Sequence, residues 1–306
     1  MGGFCRKEII LSMLLHRRTV LAGFTTALLP MQSLAATRIS SDAVGEATAK
    51  IAALEKENGG RLGVAVLDTA SGSSLRHRAA ERFPMCSTFK LLTSAAILHR
   101  VDQGMEQLDR IIPYSQSDLI DNAPITKAHV AEGGMSIADL CAAAIDWSDN
   151  TAANLLLPLI GGPAGFTRFA RSLGDPITRL DRNEPTLNTS IPGDDRDTTT
   201  PQAMLQDMRA VLIDKKLSAG SRRHLEEWLI RNKVGDARLR AGLPKSWRIG
   251  DKTGTGDNGS TNDIAILWPP GRAPILATVY YTGSAASDDA RNAVHRKIGE
   301  IIAATF

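Results

Sequence analysis

Residues 62–68, with the sequence LGVAVLD, form a short apolar run bounded by turn-forming residues, and such a run predicts a β-strand. Residues 74–77 (SLRH) can return beside it as the second strand of a hairpin. Near the other end of the chain, three more strands are predicted at residues 247–255, 263–268 and 274–282. Because strands lie at both ends with helical sequence between them, the two ends must meet to complete one five-stranded antiparallel sheet.

Helical sequence surrounds and separates these strands. Residues 42–58 carry apolar side chains at helical spacing and end at two glycines, and residues 288–304 predict a closing helix. From residue 87 to about residue 229 the chain is mostly helical, with breaks at glycine and proline clusters. The expected fold class is therefore α+β, with a five-stranded antiparallel sheet flanked by the N- and C-terminal helices, plus a mostly helical domain.

The first 35 residues predict an export signal. Arg17 and Arg18 precede an apolar run at residues 19–29, and residues 33–35 (SLA) form a small-residue cleavage site. A membrane anchor is the alternative, but the apolar run is too short to span a bilayer. The pattern favours an exported, periplasmic protein without a stable membrane anchor, and the paired arginines point to the twin-arginine route.

The net charge limits the classes of binding partner, and the cysteine content limits the possible disulfides. The first 35 residues carry four basic side chains and one acidic side chain, so their removal lowers the formal net charge from +3 to zero. The rest of the chain has no basic stripe with interleaved aromatic residues, which argues against a nucleic-acid partner. Cys86 and Cys141 remain after the leader, and both are expected to be free and buried.

A candidate nucleophile lies in the segment Ser87-Thr88-Phe89-Lys90. Ser87 begins a predicted helix, where the helix field favours a developing negative charge, and Lys90 lies one turn along the same face. A weak serine nucleophile needs such a neighbour, which can take its proton or stabilise its alkoxide. Taken alone, the segment fits equally a helix-capping serine beside an exposed lysine.

Two later motifs favour the nucleophile over the helix cap. Residues 148–150 (SDN) and residues 252–255 (KTGT) follow in this order, and together the three motifs resemble the signature set of the penicillin-recognising serine enzymes. Residues 184–188 (EPTLN) narrow the resemblance to the class A β-lactamases, over essentially all of the chain after the leader. The resemblance implies hydrolysis of β-lactam antibiotics through a serine acyl-enzyme, with no cofactor.

The resemblance also implies a domain organisation. The sheet domain is expected to be discontinuous, built from residues 36–85 and 231–306, and the helical domain to comprise residues 86–230. The active site is expected in the cleft between them. The segment 179–197 matches the family's omega loop, a compact surface loop.

Roles at matching positions follow from the resemblance. Ser148 is expected to relay a proton to the departing β-lactam nitrogen, Asn150 to bind the amide of the substrate side chain, and Asp149 to hold the loop. An acyl-serine is hydrolysed only if a water molecule is held against it and deprotonated. Glu184 and Asn188 are expected to do this, and Arg182 with Asp197 to clamp their loop.

The third motif is expected to bind the substrate along a strand edge. Lys252, Thr253 and Thr255 form a receptor for the β-lactam carboxylate, and Gly254 lets the ligand approach the backbone. The backbone N–H groups of Ser87 and Thr255 are expected to form an oxyanion hole. Many relatives add an arginine from the next strand, where this chain has Thr261, and Arg238 is expected to replace it.

Two positions depart from the family pattern. Asn122 stands where the cleft rim usually carries an aromatic residue. Gly256 stands where carbapenem-hydrolysing relatives have a cysteine that pairs with the residue at Cys86. Strong carbapenem hydrolysis is therefore not expected.

Two other functions remain as alternatives. A D,D-peptidase or penicillin-binding protein shares the serine and both lysines but lacks a deacylating glutamate, so Glu184 and Asn188 argue against it. An exported β-lactam sensor would need a spanning segment, and none is predicted. No zinc-ligand spacing occurs, so no metal is expected. The expected partners are small β-lactam substrates, and the expected state is a monomer.

Overall fold

The computed structural model describes residues 39–306, so the predicted export signal lies outside the described residues. Within them the chain forms nine strands and ten α-helices. The strands are β1 (Arg61–Asp68), β2 (Ser74–His77), β3 (Phe83–Pro84), β4 (Ile111–Pro113), β5 (Gly134–Ser136), β6 (Thr198–Thr199), β7 (Arg248–Gly256), β8 (Ser260–Trp268) and β9 (Ile275–Thr282). The helices are α1 (Ser41–Asn58), α2 (Phe89–Asp102), α3 (Pro124–His129), α4 (Ile137–Asp146), α5 (Asn150–Leu156), α6 (Gly162–Ser172), α7 (Pro201–Leu212), α8 (Ala219–Ile230), α9 (Leu239–Gly242) and α10 (Asp288–Thr305). Short 3-10 helices span Cys86–Thr88, Gln116–Asp118, Val130–Glu132, Leu157–Ile160 and Thr186–Thr189.

Five strands form one antiparallel sheet in the order β2-β1-β9-β8-β7. The last strand of the chain, β9, lies between β1 and β8, with Val64 opposite Val279. The two ends of the described chain therefore meet in the sheet, which confirms the predicted fold class. The strand β7, which carries residues 252–255, lies at one edge of this sheet.

Side chains alternate between the two faces of the sheet, as the two-residue repeat of a strand requires. Leu62, Val64 and Val66 point to one face, and Ala65 points to the other. On the first face, α1 and α10 cover an apolar cluster that we call the outer core. Its buried members include Ala47, Ile51, Leu62, Val64, Val66, Leu75, Ile249, Ala277, Val279, Tyr281, Val294, Ile298 and Ile302.

The opposite face of the sheet packs against the helical segment. Every residue of α2 from Phe89 to Leu98 is buried, which is the pattern of a helix enclosed on all sides. Helices α4, α5, α7 and α8 contribute side chains to the same apolar cluster. This enclosure fixes the start of α2, where Ser87 lies, relative to the sheet.

The middle of the chain contains two small strand pairs that the sequence did not predict. Strands β3 and β6 pair in one ladder, and β4 and β5 pair in another. Each strand has only two or three residues, too few to show an alternating pattern. The division into a sheet domain and a helical domain at residues 85/86 and 230/231 stays a prediction. Across residues 39–306, none of the helices combines the length and apolarity needed to cross a bilayer.

Candidate active site

Ser87 lies in the 3-10 turn Cys86–Thr88, immediately before α2. The preceding residue, Cys86, has a left-handed backbone with φ of 45°, so the chain enters the helix through a sharp bend. The bend leaves Ser87 only 7% exposed, at the wall of a cavity of about 330 Å³. Its hydroxyl therefore stands at a helix N-terminus and beside a space that a small molecule can enter.

Lys90 is fully buried next to this hydroxyl. Its Nζ donates to Ser87 Oγ at 3.0 Å and lies 3.0 Å from Glu184 Oε1. It also donates to the backbone oxygen of Ser148 at 2.8 Å and to Asn150 Oδ1 at 2.6 Å. Burial lowers the pKa of Lys90, and the Glu184 carboxylate opposes that effect. A lysine with a lowered pKa reaches its neutral form more readily, and a neutral amine can accept a proton from Ser87.

Ser148 connects the two lysines of the site. Its Oγ accepts from Lys252 Nζ at 3.1 Å and from Lys90 Nζ at 3.4 Å. Its backbone is left-handed, with φ of 57°, and this conformation separates α4 from α5. The hydroxyl of Ser148 is therefore placed to exchange a proton with either lysine.

Asp149, the next residue, holds this bend in place. Its carboxylate accepts from the backbone N–H groups of Ile125, Thr126 and Ala152, the last contact capping the N-terminus of α5. Asp149 is therefore the N-cap of this helix. Asp149 is thus the side chain that fixes the loop between α4 and α5.

Glu184 approaches the nucleophile from the segment that matches the omega loop. Its Oε1 accepts from Ser87 Oγ at 3.3 Å, and its Oε2 accepts from Asn188 Nδ2. Asn188 Oδ1 accepts no hydrogen bond from any of residues 39–306. The Glu184 carboxylate and this amide oxygen, held together by the Asn188 Nδ2 contact, are therefore both available to bind a water molecule.

Two further contacts fix the segment that carries Glu184. Asn154 donates to the backbone oxygen of Glu184 at 2.9 Å and accepts from its backbone N–H at 3.0 Å. Arg182 Nε donates to Asp197 Oδ2, and Asp197 Oδ1 accepts from the N–H groups of Asp181 and Arg182. The backbone of Glu184 is therefore held by Asn154 of α5, and the segment just before it is held by the ion pair of Arg182 and Asp197.

Strand β7 supplies the opposite wall of the cavity. Lys252 is fully buried, donates to Ser148 Oγ and to the backbone oxygen of Thr253, and forms no ion pair within residues 39–306. Burial lowers its pKa well below the usual value, and the positive charge of Lys90 lowers it further. A bound anion would oppose both effects, so this wall favours a negatively charged ligand group.

Gly254 has a packing reason that the sequence did not show. A Cβ there would lie 2.8 Å from the backbone oxygen of Met85 and 3.2 Å from the Cβ of Cys86. The glycine therefore lets β7 pass close to the turn that carries Ser87. Its expected role in admitting the ligand to the strand backbone stays a prediction.

Arg238 lies at the base of the same wall, in the segment before α9. Its guanidinium donates to the backbone oxygens of Gly254 and Asn262, to Thr255 Oγ1 at 2.7 Å and to Asn292 Oδ1 at 3.0 Å. A guanidinium has five N–H groups, so one on Nη2 remains for a ligand. Arg238 is only 8% exposed, and burial lowers its pKa. Two strand carbonyls therefore depend on Arg238, so this side chain is part of the packed wall as well as of the cavity lining.

The sequence-predicted residues gather around one space. The cavity is lined by Ser87, Asn122, Trp147, Ser148, Asn150, Asn188, Val234, Arg238, Thr253, Gly254 and Thr255. Lys90, Glu184 and Lys252 contact Ser87 or Ser148 from behind this lining. Every residue proposed as catalytic or substrate-binding thus either lines the cavity or touches a residue that does.

Three contributors were not singled out from the sequence. Asn154 holds the Glu184 backbone, Asn292 holds Arg238, and Trp147 stands at the cavity mouth. A signal existed for Asn154, which lies four residues after Asn150 and so on the same helix face. No comparable signal marked Asn292, because its contact with Arg238 joins residues 54 positions apart.

The two described cysteines are free and buried, as predicted. Cys86 Sγ lies 3.7 Å from Ser190 Oγ, and burial raises the pKa of its thiol to about 12. A Cβ at Gly256 would lie 2.7 Å from Cys86 Sγ and 2.6 Å from the backbone oxygen of Asn188. Gly256 therefore packs directly on the nucleophile turn. Within residues 39–306, histidine, cysteine and acidic side chains form no group of three that could hold a metal ion.

Comparison with known proteins places this geometry in a family. A model of the β-lactamase enzyme family matches residues 46–306. The β-lactamase CTX-M-8 of Citrobacter amalonaticus is 49% identical over 253 residues, covering 83% of this chain and 87% of that protein. The β-lactamase Toho-1 of Escherichia coli is 51% identical over 233 residues, covering 76% and 80% of the two chains.

Solved structures give the same result. An ancestral class A β-lactamase superposes with a TM-score of 0.84 at 59% identity, covering 85% of this chain and all of that one. A putative class A β-lactamase from Rhodopseudomonas palustris has a TM-score of 0.84 at 54% identity, with 85% of this chain covered. These relatives do not favour the peptidase alternative. The chain belongs to the β-lactamase enzyme family and is a class A serine β-lactamase, a hydrolase of β-lactams.

Proposed function

We propose that Ser87 is the nucleophile of this β-lactamase and that Lys90 and Glu184 are its proton acceptors. The observation that carries the proposal is the triangle of Ser87 Oγ, Lys90 Nζ and Glu184 Oε1, whose sides are 3.0, 3.0 and 3.3 Å. Both acceptors are within direct reach of the hydroxyl proton. Because they also contact each other, a proton taken by one can pass to the other.

In the acylation step, Ser87 Oγ attacks the β-lactam carbonyl carbon and gives up its proton to this pair. The backbone N–H groups of Ser87 and Thr255 stabilise the oxyanion that forms. As the C–N bond breaks, Ser148 donates its proton to the departing nitrogen and regains one from Lys90, which passes on the proton taken from Ser87, so Glu184 is left unprotonated. The contact of Ser148 Oγ with Lys90 supports this relay, while Lys252 donates a hydrogen bond to the same oxygen and keeps its charge.

In the deacylation step, a water molecule attacks the acyl-serine. Glu184 removes a proton from that water, while Asn188 fixes its position through the unpaired Oδ1. The proton returns to Ser87 Oγ as the ester bond breaks, which restores the starting state. The backbone contacts from Asn154 keep Glu184 at the required distance.

Substrate binding uses the β7 wall. Lys252, Thr253, Thr255 and the remaining N–H of Arg238 bind the β-lactam carboxylate, while Asn150 and Asn188 bind the side-chain amide. Lys252 has no anionic partner among the described residues, which supports an anion-binding role. Because Gly256 cannot form a disulfide with Cys86, we expect little carbapenem hydrolysis.

We further infer that the protein is exported to the periplasm after removal of residues 1–35, by the twin-arginine route, and acts there as a monomer. The basic pair followed by an apolar run and a small-residue site supports export. No metal is expected to take part, so a chelator should leave the rate unchanged.

Steady-state hydrolysis of benzylpenicillin tests the catalytic assignment. Ser87→Ala is expected to abolish turnover, whereas Ser94→Ala, a buried serine of α2 that does not line the cavity, should retain it. The melting temperature of each variant separates lost chemistry from lost folding. Normal turnover by Ser87→Ala would contradict the serine mechanism.

A further inference from the structure

Trp147 is a large apolar side chain left exposed at the active-site cavity. It follows the last residue of α4 and directly precedes Ser148, and it is 41% exposed. Only five large apolar side chains among residues 39–306 are this exposed: Met105, Ile111, Trp147, Ile191 and Val234. Of these, Trp147 and Val234 line the cavity that contains Ser87. Exposed apolar surface beside a binding cavity is typical of a ligand contact.

Asn122, the neighbouring rim residue, does not cover the exposed face of Trp147. Asn122 Nδ2 donates to the backbone oxygen of Ser148 at 2.9 Å, and the backbone oxygen of Asn122 accepts from Asn150 N–H at 2.9 Å. Its backbone is left-handed, with φ of 58°. The Asn122 side chain is therefore turned onto the polypeptide backbone. The other lining residues are polar or glycine, so Trp147 and Val234 supply the apolar contact area of this cavity.

The neighbours of these two residues identify the part of the substrate that they reach. Trp147 adjoins Ser148, the proposed donor to the departing nitrogen. Val234 lies four residues before Arg238, one of the proposed ligands of the carboxylate. In a bicyclic β-lactam, that nitrogen and that carboxylate both belong to the ring fused to the lactam. Trp147 and Val234 therefore flank the fused ring rather than the acyl side chain.

We propose that Trp147 is a specificity-determining residue that packs on the fused ring of bicyclic β-lactams and favours them over monocyclic β-lactams. The proposal rests on the proposed function, because it uses the assigned positions of the leaving nitrogen and the carboxylate. Covering an exposed indole removes apolar area from water and so lowers KM for substrates that have the second ring.

The test compares two substrates that carry the same phenylacetyl side chain, benzylpenicillin and a monocyclic β-lactam sulfonate. Trp147→Ala is expected to lower kcat/KM for benzylpenicillin by about fivefold to fiftyfold, mainly through KM. For the monocyclic substrate, kcat/KM, or its competitive inhibition constant if turnover is slow, should change by less than about twofold. Trp147→Phe should recover most of the loss.

The control is Met105→Ala, which truncates an exposed apolar side chain outside the cavity and should alter kcat/KM for neither substrate. Equal losses for the two substrates, or no loss for benzylpenicillin, would overturn the proposal. Failure of the wild-type protein to hydrolyse benzylpenicillin would instead overturn the proposed function. Melting temperatures would show whether a variant is folded, and Trp147→Gln serves as a second truncation if the alanine variant is not.

Discussion

The outer core and the walls of the active-site cavity both consist of buried side chains, but burial has opposite energetic consequences in the two regions. In the outer core, Ile51, Val64 and Ile298 are fully buried among apolar neighbours, and each such burial stabilises the fold by about 1.5–3 kcal/mol. Around the cavity, Lys90 and Lys252 are equally buried, but they are ionisable and burial lowers their pKa values. Removing a charge from water costs stability unless it is fully paired.

The comparison gives a rule for telling the two kinds of residue apart. A residue that is buried because burial is favourable should lose stability and keep catalysis when it is truncated. A cavity residue that is buried despite the cost should lose catalysis and keep, or gain, stability, and one buried at a cost away from the cavity should keep catalysis. Four substitutions test this rule.

The largest expected effect on stability is in the outer core. Ile298→Ala removes a fully buried side chain from α10 and should lower the free energy of unfolding by about 2–5 kcal/mol, through lost burial and a residual cavity. At temperatures where the variant stays folded, kcat/KM should be unchanged. Denaturant titration and steady-state kinetics on one sample give both values, and a large loss of kcat/KM would break the rule.

Lys252→Met, on the β7 wall, is expected to lower catalysis and keep stability, the reverse of Ile298→Ala. The substitution keeps the volume and removes a buried charge that has no ion-pair partner among residues 39–306. We expect kcat/KM to fall by about a hundredfold or more, because the carboxylate loses a charge-assisted contact. The melting temperature should rise or stay constant. A variant that is both less stable and fully active would place Lys252 with the structural residues.

Arg238→Ala tests a cavity residue that also satisfies buried backbone oxygens of two strands. Loss of the N–H available to the substrate carboxylate should lower kcat/KM by about tenfold to a hundredfold. Stability should fall as well, because the backbone oxygens of Gly254 and Asn262 lose a buried donor. Placing arginine at Thr261 in this variant should recover part of the activity if both positions reach the same carboxylate. Unchanged kcat/KM would reduce Arg238 to a structural role.

The smallest expected effect on catalysis concerns a buried acid away from the cavity. Asp207 on α7 is 1% exposed, and burial together with the nearby carboxylate of Asp175 raises its pKa to about 9. The folded chain therefore holds a proton that the unfolded chain, with a pKa of about 4, releases. Stability should fall as the pH rises from about 4 to about 9.

Asp207→Asn removes this titration and can still donate to Asp175. We expect no gain in the free energy of unfolding near pH 4 and a clear gain at pH 8, because the unfolded chain has released this proton by then; denaturant unfolding at both values measures it. Catalysis should be unaffected, since Asp207 does not line the cavity. A gain at pH 4 that equals the gain at pH 8 would show that the proton is not the cause.

The two regions also differed in how far the sequence could predict them. The sheet and the flanking helices follow from local patterns, because β1 and β9 are short apolar runs between turn-forming residues and the flanking helices carry apolar residues at helical spacing. The predicted ends of β7, β9 and α10 agree with the structure to within a residue. Strand β8 begins three residues earlier than predicted, at Ser260, because its polar start pairs with β7.

The finer arrangement of the site depends on contacts between distant residues. Asn154 and Glu184 are 30 positions apart, and Arg238 and Asn292 are 54 apart, so no local pattern connects them. The burial of Arg238 was missed for the same reason, because its acceptors come from β7, β8 and α10. The motifs identified the reacting groups, whereas the residues that hold them required the fold.

The central claim is that Ser87 carries the acyl group and Glu184 releases it. The direct test is intact-protein mass spectrometry of Glu184→Ala after mixing with benzylpenicillin. Acylation keeps Ser87 and Lys90, while deacylation loses the base that activates water, so the account predicts a persistent adduct with the mass of one benzylpenicillin, located by peptide mapping on Ser87. The wild-type protein should show no lasting adduct under the same conditions. Rapid product release by Glu184→Ala, or an adduct on a residue other than Ser87, would contradict the account.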